Sequence, residues 1–366
     1  MVKATPDYWA FVPPPLPPGL NLDLGLVGAL SAADRAIGEL GGAGVWLPEP
    51  HLLIRPFLRR EAVLSSKIEG TVTTLTDLVL FEADAPSGPK GSDVQEVFNY
   101  VRALENATEP GRTLPLSLRL IRDVHRTLMT GVRGGYATPG EFRRSQNWVG
   151  PPGCLLNEAT YVPPPVDEML ACMNALELYL HEASDIPPLL RVALVHYQFE
   201  GIHPFLDGNG RVGRLLVSLL LLEWGLLPKP LLYLSAFFEA HRDEYYDRLL
   251  AVSTDGDWHG WARFFLEGVS AESADVIDRA KRLHDLRNEY RARLQVTRAS
   301  ALLLRLVDHL FEQPAIRIAV AEEILGVTFR AASLNVQKLL DAGILQEVTG
   351  RERNRVFVAH EILGLL

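Results

Sequence analysis

The chain has 366 residues, of which 48% are hydrophobic and 22% charged, and its net charge is -9. This length exceeds the usual size of one compact core, so we expect two or three domains. The negative charge gives no overall attraction to nucleic acid or to an anionic membrane. Cys154 and Cys172 are the only cysteines, which argues against a disulfide framework or a structural zinc site. The start lacks a secretory pattern, and we expect a cytoplasmic protein.

The first third of the chain is predicted to be helical. A polyproline-like leader, Pro13 to Pro18, is expected to lie on the surface. After it, apolar residues recur at helical spacing over residues 26–40, 57–68 and 94–104. We therefore expect an N-terminal helical region over residues 1–110.

The central part, residues 111–270, is predicted to be a second helical domain. Helical patterns cover residues 117–129 and 166–182, and Pro187 and Pro188 favour a helix that ends near Gly201. The next helix, residues 211–224, is apolar on nearly every face, which is typical of a core helix. Its apolar run is too short to span a membrane, so no membrane association is expected.

The last part of the chain reads as a linker and a third domain. Residues 271–296 are charged, with apolar residues at helical spacing, and they predict a helical linker. Helices over 301–311, 320–325 and 329–342 then precede β-like runs at 344–348 and 355–358. This order is typical of a winged helix, which we expect over residues 297–366.

The segment Gly208-Asn209-Gly210 lies directly before the predicted core helix. Backbone N–H groups at a helix start, together with the helix dipole, can hold a phosphate group. Arg211 and Arg214 share one face of the first helical turn, where each cation opposes the dipole and needs an anion. The segment therefore predicts a site for a polyphosphate or a carboxylate, since the forked donors of arginine suit either anion.

Asp207 and His203 precede the glycines and add a carboxylate and an imidazole to the predicted site. Asp207 is placed to hold a Mg²⁺ ion that bridges phosphate oxygens. His203 has an ordinary pKa near 6.5 and can accept a proton from an attacking hydroxyl at neutral pH. Together these side chains predict a site for phosphoryl transfer.

The complete spacing resembles the signature of the Fic family, His-x-Phe-x-Asp/Glu-Gly-Asn-Gly-Arg-x-x-Arg. The chain matches it at His203, Phe205, Asp207, Gly208, Asn209, Gly210, Arg211 and Arg214. The resemblance implies a mainly α fold, a Fic helical core, and transfer of AMP from ATP to a Tyr, Thr or Ser hydroxyl of a protein, itself or a partner.

The resemblance also implies a role for each residue of the segment. His203 is the catalytic base, Asp207 the Mg²⁺ ligand, and Phe205 an apolar anchor of the loop. The other residues of the segment bind ATP, with Arg214 at the γ-phosphate; they are Gly208, Asn209, Gly210, Arg211, Val212 and Gly213.

Two further segments resemble the nucleotide and target sites of the family. Residues 142–165 resemble the β-hairpin flap beside the active site, whose exposed edge can pair with an extended target segment. Tyr245 and Tyr246 resemble tyrosines on the nucleotide side, although core packing explains either ring equally well.

Ser65, Glu69 and Gly70 resemble the inhibitory motif Ser/Thr-x-x-x-Glu-Gly/Asn of the same family. Gly70 suits the position just past a helix end. A Glu in the last helical turn opposes the dipole and needs a cation. We expect Glu69 to pair with Arg214 at the nucleotide site and to slow transfer.

Other functions remain open alongside AMP transfer. Glu69 can instead help a water molecule remove AMP from a modified protein. The C-terminal domain can bind DNA in a nucleotide-sensing regulator, but residues 297–366 carry eight basic and eight acidic side chains, which favours protein contacts or a homodimer over DNA.

Overall fold

The computed structural model describes residues 2–4, 8–46, 51–83, 93–109, 111–112, 114–132, 138–295 and 301–366. This part of the chain is mainly α-helical, as expected from the sequence. No helix within it is both long and apolar enough to cross a membrane. The helices and strands in chain order are β1 (Val2–Ala4), β2 (Tyr8–Ala10), α1 (Leu24–Trp46), α2 (His51–Ile68), α3 (Leu75–Ala83), α4 (Asp93–Thr108), α5 (Leu118–Met129), α6 (Val166–His181), α7 (Pro188–Ile202), α8 (Asn209–Glu223), α9 (Ser235–Ala240), α10 (Arg242–Asp255), α11 (Trp258–Gln295), α12 (Ala301–Glu312), β3 (Ala315–Arg317), α13 (Ile318–Leu325), α14 (Phe329–Asp341), β4 (Gln346–Glu347), β5 (Val356–Val358) and α15 (His360–Leu363).

Helices α7 and α8 form the centre of the molecule and carry the motif between them. All residues of α7 except Pro188 and Glu200 are buried, and Pro188 sets the first helical turn. Helix α8 is equally enclosed, with Arg211 and Arg214 among its buried residues. The two helices pack against each other, so the loop between them is held at both ends.

Several boundaries differ from the sequence expectations. Helix α2 begins at His51 and not at residue 57, because Pro56 is accommodated inside it. Helix α11 begins at Trp258, 13 residues before the expected linker, since its first turns are apolar and pack into the core. Helices α3, α9, α10 and α15 were not predicted. The proposed domain boundaries stay predictions, and one apolar core runs from α1 to the C-terminal helices.

The N-terminal leader is more than a surface segment. Strands β1 and β2 pair antiparallel ahead of it. Pro13 is buried, and the Gln198 side chain of α7 donates to the Pro14 carbonyl at 3.0 Å. The Phe11 N–H donates to the Val162 carbonyl at 2.9 Å. The leader is therefore packed beside α7 and the predicted flap.

The C-terminal part contains α12, α13 and α14 and a three-stranded sheet in the order β3-β5-β4. The helices and β-like runs lie where the sequence predicts them. Strand β3 was not predicted, and it pairs antiparallel with β5. The assignment of this part as a winged helix stays a prediction.

Candidate active site

The loop between α7 and α8 is fixed by the side chain of Asn209. Its Oδ1 accepts from the Phe205 N–H at 2.8 Å and its Nδ2 donates to the Phe205 carbonyl at 2.9 Å. Gly208 has a φ of 80°, and a Cβ there would lie 3.1 Å from Met129 Sδ, so glycine suits this position for two reasons. The Asn209 side chain therefore shapes the loop, and the phosphate role predicted for it would fall to its backbone N–H.

Phe205 anchors the loop by packing its ring into the core. Its side chain is fully buried and stacks on the His125 ring at 3.7 Å between centroids. The Gly140 N–H donates to His125 Nδ1, so His125 Nε2 carries the proton and donates to the Asp207 carbonyl at 3.0 Å. Burial lowers the pKa of His125 to about 4, which keeps the ring neutral and this arrangement intact at pH 7.

His203 ends α7 in the left-handed conformation, with a φ of 51°. Such a conformation is uncommon for a residue with a side chain and is frequent at functional sites. Arg143 Nε donates to the His203 carbonyl at 3.0 Å and helps to hold it. His203 Nδ1 contacts the Glu200 carbonyl at 3.2 Å, so Nδ1 carries the proton, and Nε2 is an acceptor without a hydrogen-bond partner in the part of the chain that the structure describes. Burial lowers the pKa of His203 to about 4, and the ring is a neutral base at pH 7.

Arg214 is buried and forms an ion pair with Glu69 at the end of α2. Arg214 Nη2 lies 2.7 Å from Glu69 Oε1, and Arg214 Nε donates to Ser65 Oγ at 2.9 Å. A Cβ at Gly210 would lie 2.3 Å from Glu69 Oε1, so a side chain at this position would collide with Glu69. The structure thus brings together the three residues of the predicted inhibitory motif, with Gly70 at a φ of 92° just past the helix end.

The charges around Arg214 explain why Glu69 is its counter-ion. Burial would raise the pKa of Glu69, but the Arg214 guanidinium outweighs it and the pKa is lowered. Burial would likewise lower the pKa of Arg214, but the Glu69 carboxylate raises it. Burial raises the pKa of Glu200 to about 8, so this nearby carboxyl is protonated at pH 7. Glu69 therefore supplies the negative charge that Arg214 needs.

A cavity of about 640 Å³ opens beside these residues, a size typical of small-molecule sites. His203, Gly210, Arg214 and Glu69 line it, as do the aromatic rings of α10 and the segment around Trp148. The predicted β-hairpin flap is reduced to one antiparallel bridge, Val149 with Tyr161. The Phe11 N–H donates to the carbonyl of Val162, the residue after Tyr161, so the N-terminal part of the chain contacts this segment.

The predicted nucleotide-side tyrosines differ in accessibility. Tyr246 is 40% exposed, whereas Tyr245 is 1% exposed and its hydroxyl bonds His196 Nε2 at 2.9 Å. Val212 lies in the core, and its N–H already donates to the Gly208 carbonyl at 3.0 Å. A Cβ at Gly213 would lie 2.1 Å from Glu200 Oε1, so Gly213 permits close packing of α7 on α8. Nucleotide contacts by these residues stay predictions.

Asp207 fits the role of a magnesium ligand. Its side chain is 45% exposed, and its Oδ1 accepts from the Gly208 N–H at 2.6 Å. In nucleotide enzymes Mg²⁺ is typically held by one or two carboxylates together with phosphate oxygens and water. Within the described residues there is no cluster of three or more His, Cys, Asp or Glu that could hold a metal. Nucleotide and water would therefore supply the remaining ligands of an ion at Asp207.

Sequence reasoning missed several residues that build the site. His125 and Arg143 fix the loop carbonyls, His196 holds Tyr245, and Glu96 pairs with Arg211 at 3.1 Å. Each of these contacts joins residues distant in sequence. No local pattern in the sequence marks them.

Known proteins resemble this chain in both sequence and fold. Curated relatives named protein adenylyltransferase Fic include one from Aedes aegypti, 32% identical over 209 residues, which are 55% of this chain and 38% of the relative. One from Drosophila grimshawi is 30% identical over 213 residues, 55% of this chain and 39% of the relative. The chain thus spans well under half of the length of these relatives.

Solved structures share the fold at low sequence identity. A Fic family protein from Desulfovibrio desulfuricans G20 aligns with a TM-score of 0.59 and 19% identity, covering 94% of this chain and 98% of that one. Fic-1 from C. elegans aligns with a TM-score of 0.56 and 22% identity, covering 70% and 74%.

The family profiles match consecutive parts of the chain. The Fic/DOC family N-terminal profile matches residues 27–109, and the Fic/DOC family profile matches residues 115–221. The second match contains the loop between α7 and α8, with His203, the glycines and both arginines, and the first contains α2 and Glu69. The chain belongs to the Fic/DOC family.

Proposed function

We propose that the chain is a protein adenylyltransferase that moves AMP from ATP to a protein hydroxyl, on itself or on a partner. The observation that carries this proposal is the arrangement of a neutral His203, with a free Nε2, on the same cavity as Gly210 and Arg214. The names of the curated relatives support the same reaction. The backbone of the glycine loop and the buried guanidinium offer donors for a polyphosphate.

In the proposed reaction His203 Nε2 takes the proton of the target hydroxyl as its oxygen attacks the α-phosphorus of ATP. The bond from the α-phosphorus to the bridging oxygen breaks, and pyrophosphate leaves. Mg²⁺ at Asp207 would neutralise charge on the phosphates. The protein contributes mainly by positioning the reactants and by stabilising negative charge, as in other phosphoryl transfers.

We infer that Glu69 restrains this reaction. Its carboxylate lies 2.7 Å from the guanidinium that we assign to the γ-phosphate. Two anions cannot share that position without strong repulsion, so ATP must displace Glu69 before it adopts a reactive pose. The resting protein is therefore expected to be slow.

The test is the replacement Glu69→Gly. We expect it to raise autoadenylylation, measured with labelled ATP and located by mass spectrometry, by at least tenfold. Lys67→Gly is the matched control, because Lys67 lies in the same helical turn and pairs with Glu239 on the protein surface. An unchanged or lower rate in Glu69→Gly contradicts the inhibitory role.

The base is tested in the same background. His203→Ala should abolish labelling of the Glu69→Gly protein while its affinity for ATP, measured by calorimetry, stays within about threefold. Labelling that survives this change contradicts AMP transfer by this site. Release of AMP from a modified protein by the wild-type chain, and not by Glu69→Gly, would identify the reverse reaction as the main one.

A further inference from the structure

Arg211 lies behind the glycine loop, outside the lining of the cavity. Its side chain is only 5% exposed, with Nη2 3.8 Å from Met129 Sδ. A buried guanidinium requires an anion, because an uncompensated charge in the interior is strongly destabilising. The nature of that anion decides how Arg211 influences the loop.

Two carboxylates flank Arg211. Arg211 Nη1 lies 3.1 Å from Glu96 Oε2, and Arg211 Nη2 lies 3.6 Å from Asp207 Oδ1. Glu96 belongs to α4 in the N-terminal region, and its side chain is 16% exposed. Glu96 makes the shorter contact with Arg211, and its side chain is less exposed than that of Asp207. Asp207 remains 45% exposed at the edge of the loop.

We propose that Glu96 is a positioning residue that takes Arg211 as its ion-pair partner and thereby leaves the Asp207 carboxylate free for Mg²⁺. This inference rests on the proposed function. Without the charge of Glu96, Arg211 closes the 3.6 Å gap and forms a full ion pair with Asp207. A carboxylate held by a guanidinium offers less charge and fewer lone pairs to a cation. The N-terminal region then tunes the metal site without touching it.

The test compares magnesium dependence in Glu69→Gly with that in Glu69→Gly carrying Glu96→Gln. Glutamine keeps the size of the side chain and removes its charge. We expect the Mg²⁺ concentration for half-maximal autolabelling to rise about tenfold, the scale on which partners of metal ligands act. At saturating Mg²⁺ the KM for ATP should change less than twofold. Glu96→Asp should restore part of the magnesium affinity.

A binding measurement separates this role from a purely structural one. In the 366-residue chain with Glu69→Gly and His203→Ala, calorimetry should show that Glu96→Gln weakens ATP binding at low Mg²⁺ and not at saturating Mg²⁺. The matched control is Glu223→Gln, which removes the 2.8 Å ion pair with Arg112 at the other end of α8 and should leave the magnesium dependence unchanged.

Each outcome decides the inference. An unchanged magnesium dependence in a parent that binds ATP and labels itself overturns the role of Glu96 alone. Faster labelling by Glu96→Gln also overturns it, because Glu96 would then act as a second restraint on an arginine. A Glu69→Gly parent that neither binds ATP nor labels overturns the proposed function, and the inference with it.

Discussion

Two adjacent serines at the end of α2 show how differently neighbouring residues can act. Both are fully buried. Ser65 Oγ accepts from Arg214 Nε and the Ser65 carbonyl accepts from Arg214 Nη2, each at 2.9 Å. Ser66 Oγ has no hydrogen-bond partner among the described residues. The side chain of the first serine therefore holds the guanidinium that Glu69 neutralises, whereas the side chain of the second does not contribute a hydrogen bond there.

Under the proposed restraint by Glu69, this difference predicts that replacing Ser65 raises the rate of AMP transfer in part, whereas replacing Ser66 leaves it unchanged. Ser65→Ala removes a hydrogen bond to a charged group, worth about 1.5–3 kcal/mol in general, and leaves the Glu69 carboxylate in place. We expect autolabelling to rise several-fold, to a rate between those of wild type and Glu69→Gly. Ser66→Ala, of the same size and burial, should match wild type. Equal rates in the two serine variants would contradict this account of Arg214.

Helix α2 links the candidate active site to the C-terminal part of the chain. Its last turn carries Ser65, Glu69 follows directly after it, and its middle carries Arg59, which is 4% exposed. Arg59 Nε contacts Glu82 Oε2 at 2.7 Å, and Arg59 Nη1 donates to the carbonyl of Glu312 at the end of α12 at 2.6 Å. One guanidinium thus joins α2, α3 and α12.

We expect the buried ion pair of Arg59 with Glu82 to contribute strongly to the free energy of unfolding. Arg59→Ala leaves the Glu82 carboxylate buried without its cation, so we expect the free energy of unfolding in urea to fall by about 3–5 kcal/mol. Arg55→Ala is the control on the same helix, because Arg55 is 51% exposed in its 3.7 Å contact with Glu312 and such pairs contribute less than about 1 kcal/mol. Similar losses in both variants would contradict a special role for Arg59.

On the scale of the whole molecule, two buried histidines make stability depend on pH. His125 and His196 are fully buried, and burial lowers their pKa values to about 4 and about 3. In the unfolded chain each ring has a pKa near 6.5 and binds a proton more readily. The stabilisation is therefore complete above about pH 6.5 and is lost as the pH falls toward the folded pKa values.

We expect each of these two histidines to lower the free energy of unfolding by roughly 1.5–2 kcal/mol between about pH 7 and about pH 5, whereas Glu200, whose pKa is raised to about 8, contributes in the opposite direction. Denaturant titrations at several pH values measure this loss. His125→Gln should remove about half of the dependence that the pair creates, whereas His181→Gln, at an exposed position, should leave the dependence unchanged. A His125→Gln variant whose stability changes with pH as much as that of wild type would contradict the prediction.

The sequence predicted most of the helices because apolar periodicity and proline or glycine boundaries are local signals. It also predicted the Glu69–Arg214 contact, because a short motif marks each partner. It did not predict that Glu96 holds Arg211 or that His125 holds the Asp207 carbonyl, since these contacts span 115 and 82 residues. Helix α2 was predicted too short because Pro56 reads as a boundary, although packing keeps it within the helix.

Helix α11 connects α7 with the C-terminal part of the chain. Its 38 residues correspond to about 57 Å at 1.5 Å per residue. Near its start, Trp261 Nε1 donates to the Ala193 carbonyl of α7 at 2.8 Å, and near its end Arg293 pairs with Glu361 at 2.7 Å. The same helix therefore contacts α7, which precedes His203, near its start and α15 of the C-terminal part near its end.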